Sequence, residues 1–151
     1  LIDQKLPGQF EEEFRRRTFK LFSTDLKPIS GIKELLEKIS IAYCVASNGP
    51  LEKMKLNLTA TKLIDKFENK MFSAYEIGKW KPDPGVFQFA AESMGFEVKD
   101  CLVIEDSLVG IQAAKSGGFD VIGYANKSNH ADFLKEGIQV FFEMEKLLEM
   151  V

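Results

Sequence analysis

Short apolar runs alternate with segments of helical periodicity along most of this chain. The apolar runs are too short for helices and predict buried strands over residues 41–46, 70–74, 101–104, 119–124 and 138–142. The segments between and around them predict helices over residues 9–22, 31–39, 51–63, 85–94, 107–115, 129–135 and 143–150. Strands that alternate with helices form a parallel sheet with helices packed on its faces, so the pattern predicts an α/β fold.

Composition narrows the class of protein without identifying a function. The chain has 151 residues, of which 45% are hydrophobic and 28% charged, which suits one folded domain with a core. Its net charge of −3 argues against a protein that binds nucleic acid or anionic membranes in general. Cys44 and Cys101 both lie in apolar strand-like runs, so we expect small core residues in a reduced, cytoplasmic protein.

The first predicted helix carries a dense run of opposite charges. Three glutamates at residues 11–13 precede three arginines at residues 15–17 by four positions. That order favours i,i+4 ion pairs and predicts a helix face in contact with solvent. The alternative is a helix that forms part of a lid over a negatively charged substrate. Polar residues and a proline over residues 23–30 then predict a linker before the alternating strands and helices.

Two acids come after the strand predicted at residues 101–104. Glu105 and Asp106 stand directly behind its apolar residues, and a buried parallel strand delivers the residues at its carboxyl end to the sheet edge where open α/β folds bind ligands. Adjacent carboxylates at such an edge are tolerated when a hard cation lies beside them. The pair therefore predicts a Mg²⁺ site. The alternative is a strand end with an acidic N-cap for the next helix.

Polar groups also come after other predicted strands. Ser47, Asn48 and Gly49 lie after the strand at residues 41–46 and before a helix. A hydroxyl, a glycine that admits close backbone approach and a helix N-terminus are features of an anion site. Lys81, in the loop before the next long helix, adds a charge that suits phosphate. Together with Mg²⁺ these groups could surround a transferring phosphoryl group, although each segment alone is also typical of an ordinary turn or loop.

Three strings in this order resemble the motifs of the haloacid dehalogenase superfamily. They are Val-Ala-Ser-Asn-Gly at residues 45–49, Lys-Trp-Lys-Pro-Asp-Pro at 79–84, and Val-Ile-Glu-Asp-Ser-Leu-Val-Gly-Ile-Gln-Ala-Ala at 103–114. The branch that the chain resembles contains phosphatases and β-phosphoglucomutase-like proteins with a small helical cap. The loop around Trp80 is similar to that of sugar-acid phosphate phosphatases, including the 6-phosphogluconate phosphatase type.

This resemblance implies a fold and a division of the chain. We expect a Rossmann-like three-layer α/β core with a mainly parallel sheet over residues 27–151, lacking its first strand. Residues 1–26 would be the remnant of the helical cap, namely its C-terminal part. The resemblance itself covers about Ile29 to the C-terminus.

The resemblance also assigns roles to the residues of the first two strings. Ser47 would hydrogen-bond the phosphoryl group. Lys81 would hold the same group and the nucleophile, so Ser47 and Lys81 are the catalytic candidates. Asn48 and Gly49 would join them in binding substrate, Asn48 through its backbone or its amide.

The third string would contribute the cofactor site. Glu105 and Asp106 would bind Mg²⁺, with Asp106 as the better candidate for a direct ligand. Gly110 would allow its helix to pack close to the sheet. Mg²⁺ is therefore the expected cofactor.

One motif of the family is missing from this sequence. In the family an apolar strand ends in Asp-x-Asp, with the first Asp as nucleophile and the second as general acid and base. No Asp-x-Asp occurs here, and the nearest imitation is Glu-Met-Glu at residues 143–145, after what would be a closing strand. We therefore expect the nucleophile on a preceding segment or on a second chain. The alternative is a domain without catalytic activity.

These expectations lead to one principal function and two alternatives. The principal expectation is a Mg²⁺-dependent phosphatase that hydrolyses a small phosphorylated metabolite, such as a sugar or sugar-acid phosphate, through an aspartyl-phosphate. The 151-residue chain alone would then be inactive. A phosphosugar mutase of the same superfamily and a non-catalytic module that binds phosphate for regulation stay open. Neither nucleic acid nor a membrane is an expected partner.

Overall fold

A computed structural model describes residues 7–151, while residues 1–6 of the predicted cap segment and the side chains of Glu11, Arg15 and Ser23 lie outside the described part. The helices are α1 (Phe10–Asp25), α2 (Ile32–Lys38), α3 (Leu51–Ala60), α4 (Ala74–Ile77), α5 (Gly85–Met94), α6 (Leu108–Ser116) and α7 (His130–Lys135). The strands are β1 (Val45–Ser47), β2 (Met71–Ser73), β3 (Leu102–Glu105), β4 (Asp120–Tyr124) and β5 (Gln139–Phe141). Short 3₁₀ turns cover Ile64–Lys66, Val98–Asp100 and Met144–Glu149.

The strands are parallel and lie in two sheets. β1 pairs with β2, and β3, β4 and β5 form the second sheet in that order. Within residues 7–151 no strand pairing joins β1 to β3. The α/β class with parallel strands is confirmed. The predicted sheet is divided between β1 and β3, so each of these strands keeps one edge without a strand partner in the described part.

Helices cover both sheets together. On one side, Val86 and Phe87 of α5 pack in the same apolar cluster as Val103 of β3 and Ala46 of β1. On the other side, Ile32 of α2 contacts the apolar clusters of both sheets. Burial of these side chains away from water is the main favourable term that holds the two sheets side by side.

Two differences from the predicted elements have local causes. The strand predicted over 70–74 ends at Ser73, because Ser73 and Glu76 form a capping box that starts α4. The strand predicted over 41–46 is observed only from Val45 and continues to Ser47, where its three residues pair with the three of β2. Ile41, at the predicted start, is 54% exposed and lies outside the strand. The signal for α4, Ser-x-x-Glu, is present in the sequence at residues 73–76.

The observed elements near both ends of the described chain also differ from the predicted ones. α1 continues to Asp25, beyond the predicted end at residue 22, and the predicted helix at 143–150 is a 3₁₀ turn. In α1 the Arg17 guanidinium pairs with Glu13, as the i,i+4 pattern predicts. No helix of the described residues combines the length and apolar character needed to cross a membrane.

Candidate active site

The carboxyl ends of β1 and β3 meet at the side chain of Lys81. Its ammonium donates a hydrogen bond to the carbonyl oxygen of Ala46, at 3.1 Å, and forms an ion pair with Oε1 of Glu105. It also lies 4.4 Å from the ring centroid of Phe87. Because the side chains of Lys81 and Glu105 are only 9% and 7% exposed, both charges depend on each other for compensation. Residues from three separate strings of the sequence are thereby brought together.

The second oxygen of Glu105 is also bonded within the protein. Oε2 accepts hydrogen bonds from the hydroxyl of Ser107, at 2.8 Å, and from its backbone N–H, at 3.3 Å. The same hydroxyl accepts from the backbone N–H of Gly110, at 3.1 Å, and so caps α6. The N-cap of this helix is therefore Ser107, not an acid. The Glu105 carboxylate lies at the positive end of α6, where the helix dipole favours a negative charge.

Asp106 has a different environment from its neighbour. Its side chain is exposed, and no donor from the described part of the chain reaches its carboxylate. Its backbone carbonyl accepts a hydrogen bond from Nδ2 of Asn129, at 2.9 Å, and Asn129 also donates to the carbonyl of Tyr124, at 3.3 Å. Asn129 thus connects the loop after β3 to the end of β4 and leaves the Asp106 carboxylate open to solvent and ligand.

These two acids differ in how well they suit a metal. Among the described residues, no group of three or more His, Cys, Asp or Glu side chains gathers as a metal site. Mg²⁺ needs fewer protein ligands than that, because it retains several waters and binds one or two carboxylates together with substrate phosphate. Asp106 fits this pattern. Glu105 is already bonded to Lys81 and Ser107, so its predicted role as a ligand stays a prediction.

The turn after β1 is tied down from both sides. The backbone N–H of Gly49 donates to the hydroxyl oxygen of Ser47, at 3.0 Å. The hydroxyl of Ser73, which is 1% exposed, donates to the carbonyl of Gly49, at 2.8 Å. Ser47 therefore uses a lone pair within the turn, while its own hydroxyl hydrogen can be donated to a ligand. Pro50 occupies the N-cap position of α3 in extended conformation, directly before the first helical residue, Leu51. The sequence had favoured Pro50 itself as the first helical residue.

Asn48 contacts Lys81 directly. Its Oδ1 accepts a hydrogen bond from the backbone N–H of Lys81, at 2.8 Å, and its Nδ2 donates to the backbone carbonyl of Lys81, at 3.3 Å. Both ends of the amide are thus used within the protein. A direct contact between Asn48 and substrate, which the sequence predicted, would fall to its backbone and stays a prediction.

Sequence reasoning missed Ser73, Ser107 and Asn129 as residues that shape this site. Ser73 and Ser107 each had a readable signal, because a serine just before a helix is a common N-cap. Asn129 had no such signal, since its partners Asp106 and Tyr124 lie elsewhere in the sequence.

Trp80, His130 and the Glu-Met-Glu segment lie around the site or away from it. Trp80 is 44% exposed and meets the ring of Tyr75 edge to face, with centroids 5.4 Å apart. His130 begins α7 and contacts the ring of Phe142. The Glu-Met-Glu segment at 143–145 comes after β5, which is separated from β3 by β4.

The two cysteines precede β1 and β3 and have no disulfide partner. Burial raises the pKa of the Cys44 thiol, and the charge of Cys101 adds to this rise. Burial also raises the pKa of the Cys101 thiol, with a smaller contribution from Asp100. Both shifts favour the protonated thiol over the more reactive thiolate.

Comparison with known proteins places this arrangement in a family. The sequence profile described as haloacid dehalogenase-like hydrolase matches residues 2–124. The 6-phosphogluconate phosphatase of Escherichia coli is 31% identical over 140 residues, which cover 93% of this chain. The phosphorylated carbohydrates phosphatase of Thermotoga maritima is 27% identical over 149 residues, which cover 93% of this chain and 68% of that enzyme.

A solved structure gives the same result for the fold. The crystal structure of a conserved haloacid dehalogenase-like protein of unknown function from Agrobacterium tumefaciens superposes with a TM-score of 0.85 at 28% identity, covering 97% of this chain and 69% of that one. The chain spans 63% of the length of the Escherichia coli phosphatase. About a third of the length of these relatives therefore has no counterpart in this chain.

Proposed function

The chain belongs to the haloacid dehalogenase-like hydrolase family, and from that premise we propose that it forms the phosphate-binding part of a Mg²⁺-dependent phosphatase. The substrate would be a small phosphorylated metabolite, a sugar or sugar-acid phosphate. The observation that carries this proposal is the Lys81 ammonium, which lies between the Ala46 carbonyl and Glu105, next to the Ser47 turn.

The charges at this site support a role for a divalent cation. The ammonium of Lys81 is paired with the Glu105 carboxylate, and Asp106, the next residue, adds a second, exposed carboxylate. A phosphate dianion would add further negative charge to a site that already has an excess of it. Mg²⁺ held by Asp106, with Glu105 as a second candidate, would offset that excess and stabilise charge on the phosphoryl oxygens.

The chain's own residues would bind and orient the phosphoryl group. The Ser47 hydroxyl would donate its hydrogen to one phosphoryl oxygen, and the Gly49 segment leads into the N-terminus of α3, which favours anions. Lys81 would donate a further hydrogen bond to the phosphoryl group. Donors that are already fixed before the substrate arrives need little reorganisation during the reaction.

The nucleophile would come from outside these 151 residues. The sequence contains no Asp-x-Asp, and the edges of β1 and β3 beside Lys81 have no strand partner in the described part. A parallel strand between them would deliver its carboxyl end next to Lys81. An aspartate there would attack phosphorus while the bond from phosphorus to the leaving oxygen breaks, and the second Asp of the same missing motif would give that oxygen its proton. Water, losing a proton to that second Asp, would then hydrolyse the aspartyl-phosphate to inorganic phosphate and restore the aspartate.

The substrate class rests on relatives. The proteins of Escherichia coli and Thermotoga maritima that this chain resembles are phosphatases named for 6-phosphogluconate and for phosphorylated carbohydrates. We extend the class, and not the individual compound, to this chain. A phosphosugar mutase and a non-catalytic phosphate-binding module are the outcomes against which the proposal is tested.

Two measurements separate these possibilities. The first is the binding of inorganic phosphate to the 151-residue chain, measured by titration calorimetry with and without Mg²⁺. The second is turnover of a panel of sugar and sugar-acid phosphates by the intact protein that contains the chain, with phosphate release and isomeric products both analysed. Phosphate release that requires Mg²⁺ supports the proposal. An isomeric sugar phosphate would indicate a mutase, and binding without any turnover would indicate the module.

Matched pairs of variants test whether turnover depends on the proposed site residues. Lys81→Met removes the ammonium at nearly constant length, and Lys79→Met makes the same change two residues earlier at an exposed position. Asp106→Asn removes the carboxylate after β3, and Asp100→Asn makes the same change at the other end of that strand. We expect turnover to fall about 100-fold or more in each site variant and to change little in each control. Undiminished turnover in Lys81→Met or Asp106→Asn would reject the assignment.

A further inference from the structure

The loop that carries Lys81 has little regular structure of its own. Lys81 lies between the end of α4 at Ile77 and the start of α5 at Gly85. A lysine side chain on such a loop has many conformations, and ordering it opposes binding. Something in the fold must therefore fix the backbone of Lys81 before its ammonium can lie reproducibly beside Glu105.

The amide of Asn48 provides that restraint. It accepts from the N–H of Lys81 and donates to the carbonyl of Lys81, at 2.8 and 3.3 Å. Within residues 7–151, the hydrogen bonds of both backbone groups of Lys81 go to this one side chain. The next residue along the chain, Pro82, has no N–H to contribute.

Asn48 is itself held by its neighbours. The adjacent residue, Gly49, donates its N–H to Ser47 and accepts from the buried hydroxyl of Ser73. A chain of hydrogen bonds thus runs from Ser73 in β2 through the turn after β1 to the backbone of Lys81. This network connects elements that are 24 and 33 residues apart in sequence.

We propose that Asn48 is a positioning residue, which acts on a phosphorylated ligand through Lys81 and not by contact of its own amide. The proposal rests on the proposed function for its ligand. A displacement of about 1 Å in a group that holds the reacting centre can reduce the rate about 100-fold. The prediction is therefore that Asn48 matters for phosphate only while Lys81 is present.

A double-mutant cycle on the 151-residue chain tests this dependence. The probe is inorganic phosphate, measured by titration calorimetry for Asn48→Ala, Lys81→Met and the double variant. We expect Asn48→Ala to weaken binding about tenfold in the wild-type background and to have no further effect in the Lys81→Met background. Equal fold-changes in both backgrounds would mean that Asn48 contacts the ligand independently, and the proposal would be overturned.

Amide hydrogen exchange gives a second readout that does not need a ligand. The backbone N–H of Lys81 should exchange about tenfold faster in Asn48→Ala, because its hydrogen-bond acceptor is removed. Asn57→Ala is the matched control, since Asn57 is a partly buried asparagine in α3 whose backbone, not its side chain, bonds Thr61. Asn48→Leu has a side chain of similar size that also lacks both the acceptor and the donor, and it serves if Asn48→Ala does not fold.

The two readouts fail in different ways. If the wild-type chain does not bind phosphate, the proposed function falls, and the exchange experiment alone decides whether Asn48 restrains Lys81. Unchanged exchange at Lys81 in both Asn48 variants would overturn the positioning role, whatever happens to phosphate binding.

Discussion

Gly110 offers a direct test of how the Glu105 carboxylate is placed. A Cβ atom added at residue 110 would lie 2.1 Å from Cδ of Glu105. Cβ contacts below 3.0 Å essentially never occur, so Gly110→Ala must move the carboxylate. That carboxylate is buried and bonded to Lys81 and Ser107, which leaves it no position of equal energy.

Two opposing effects set the magnitude. Replacing a helical glycine by alanine stabilises a helix by up to about 1 kcal/mol. Overpacking a buried site typically costs about 1–3 kcal/mol, and complete loss of one partner from a buried ion pair costs about 3–5 kcal/mol. The carboxylate of Glu105 is displaced and not removed, so we expect a net destabilisation of about 1–3 kcal/mol.

Urea unfolding of the 151-residue chain, monitored by circular dichroism, measures this change. The same substitution is then made in a Lys81→Met, Glu105→Ala background, where no carboxylate is present to clash. There Gly110→Ala should be neutral or stabilising by up to about 1 kcal/mol. A stabilising effect in the wild-type background, or an equal cost in both backgrounds, would refute the account of Gly110.

Three further predictions concern other parts of the fold. Ser107→Ala should lower the free energy of unfolding by about 1–2 kcal/mol, because it removes an N-cap and a hydrogen bond to a buried acid. Ser107→Thr should retain most of that stability, since threonine keeps the hydroxyl. An equal loss in both variants would contradict the capping role. The hydrogen bond from Lys115 lowers the pKa of Glu136, so this pair contributes stability above the unfolded-state pKa of about 4.3 and loses it as pH falls through the folded pKa. Lys115→Gln should therefore make the free energy of unfolding, measured with urea, depend less steeply on pH in the acid range. An unchanged pH dependence would be evidence against the pair. Because burial raises the pKa of the Cys44 and Cys101 thiols, both should react with a disulfide reagent at pH 7 more slowly than free cysteine, and a thiol that reacts as fast in the folded chain would argue against this.

Much of the fold was readable from local pattern. Apolar runs of four to six residues predicted β3, β4 and β5, and the helical periods predicted α2, α5 and α6, within a few residues of their observed bounds. Local pattern succeeds here because a strand points successive side chains to opposite faces, while a helix places every third or fourth side chain on one face. Burial of the apolar face then selects the element whose period matches the sequence. The missed helix α4 also had a local signal, the Ser-x-x-Glu sequence of its capping box.

The candidate residues were readable for a related reason. Ser47, Lys81, Glu105 and Asp106 each come near the end of a predicted strand or the start of a helix, where α/β folds bind ligands. The order of these residue types along the chain was enough to predict the site that we propose for phosphate. Their roles toward Mg²⁺ and substrate are still to be measured, because roles depend on the ligand.

The folded chain, and not any local pattern, fixes which polar group pairs with which. The sequence alone determined an α/β chain with acids, a hydroxyl and an ammonium at its strand ends. The folded chain determined that Glu105 pairs with Lys81 while Asp106 stays open, and that the Asn48 amide bonds the Lys81 backbone. These pairings join residues 24 and 33 positions apart, and buried polar groups take whichever partner the packing brings within hydrogen-bond distance. No local pattern specifies that partner, because it depends on how the helices set the two sheets beside each other.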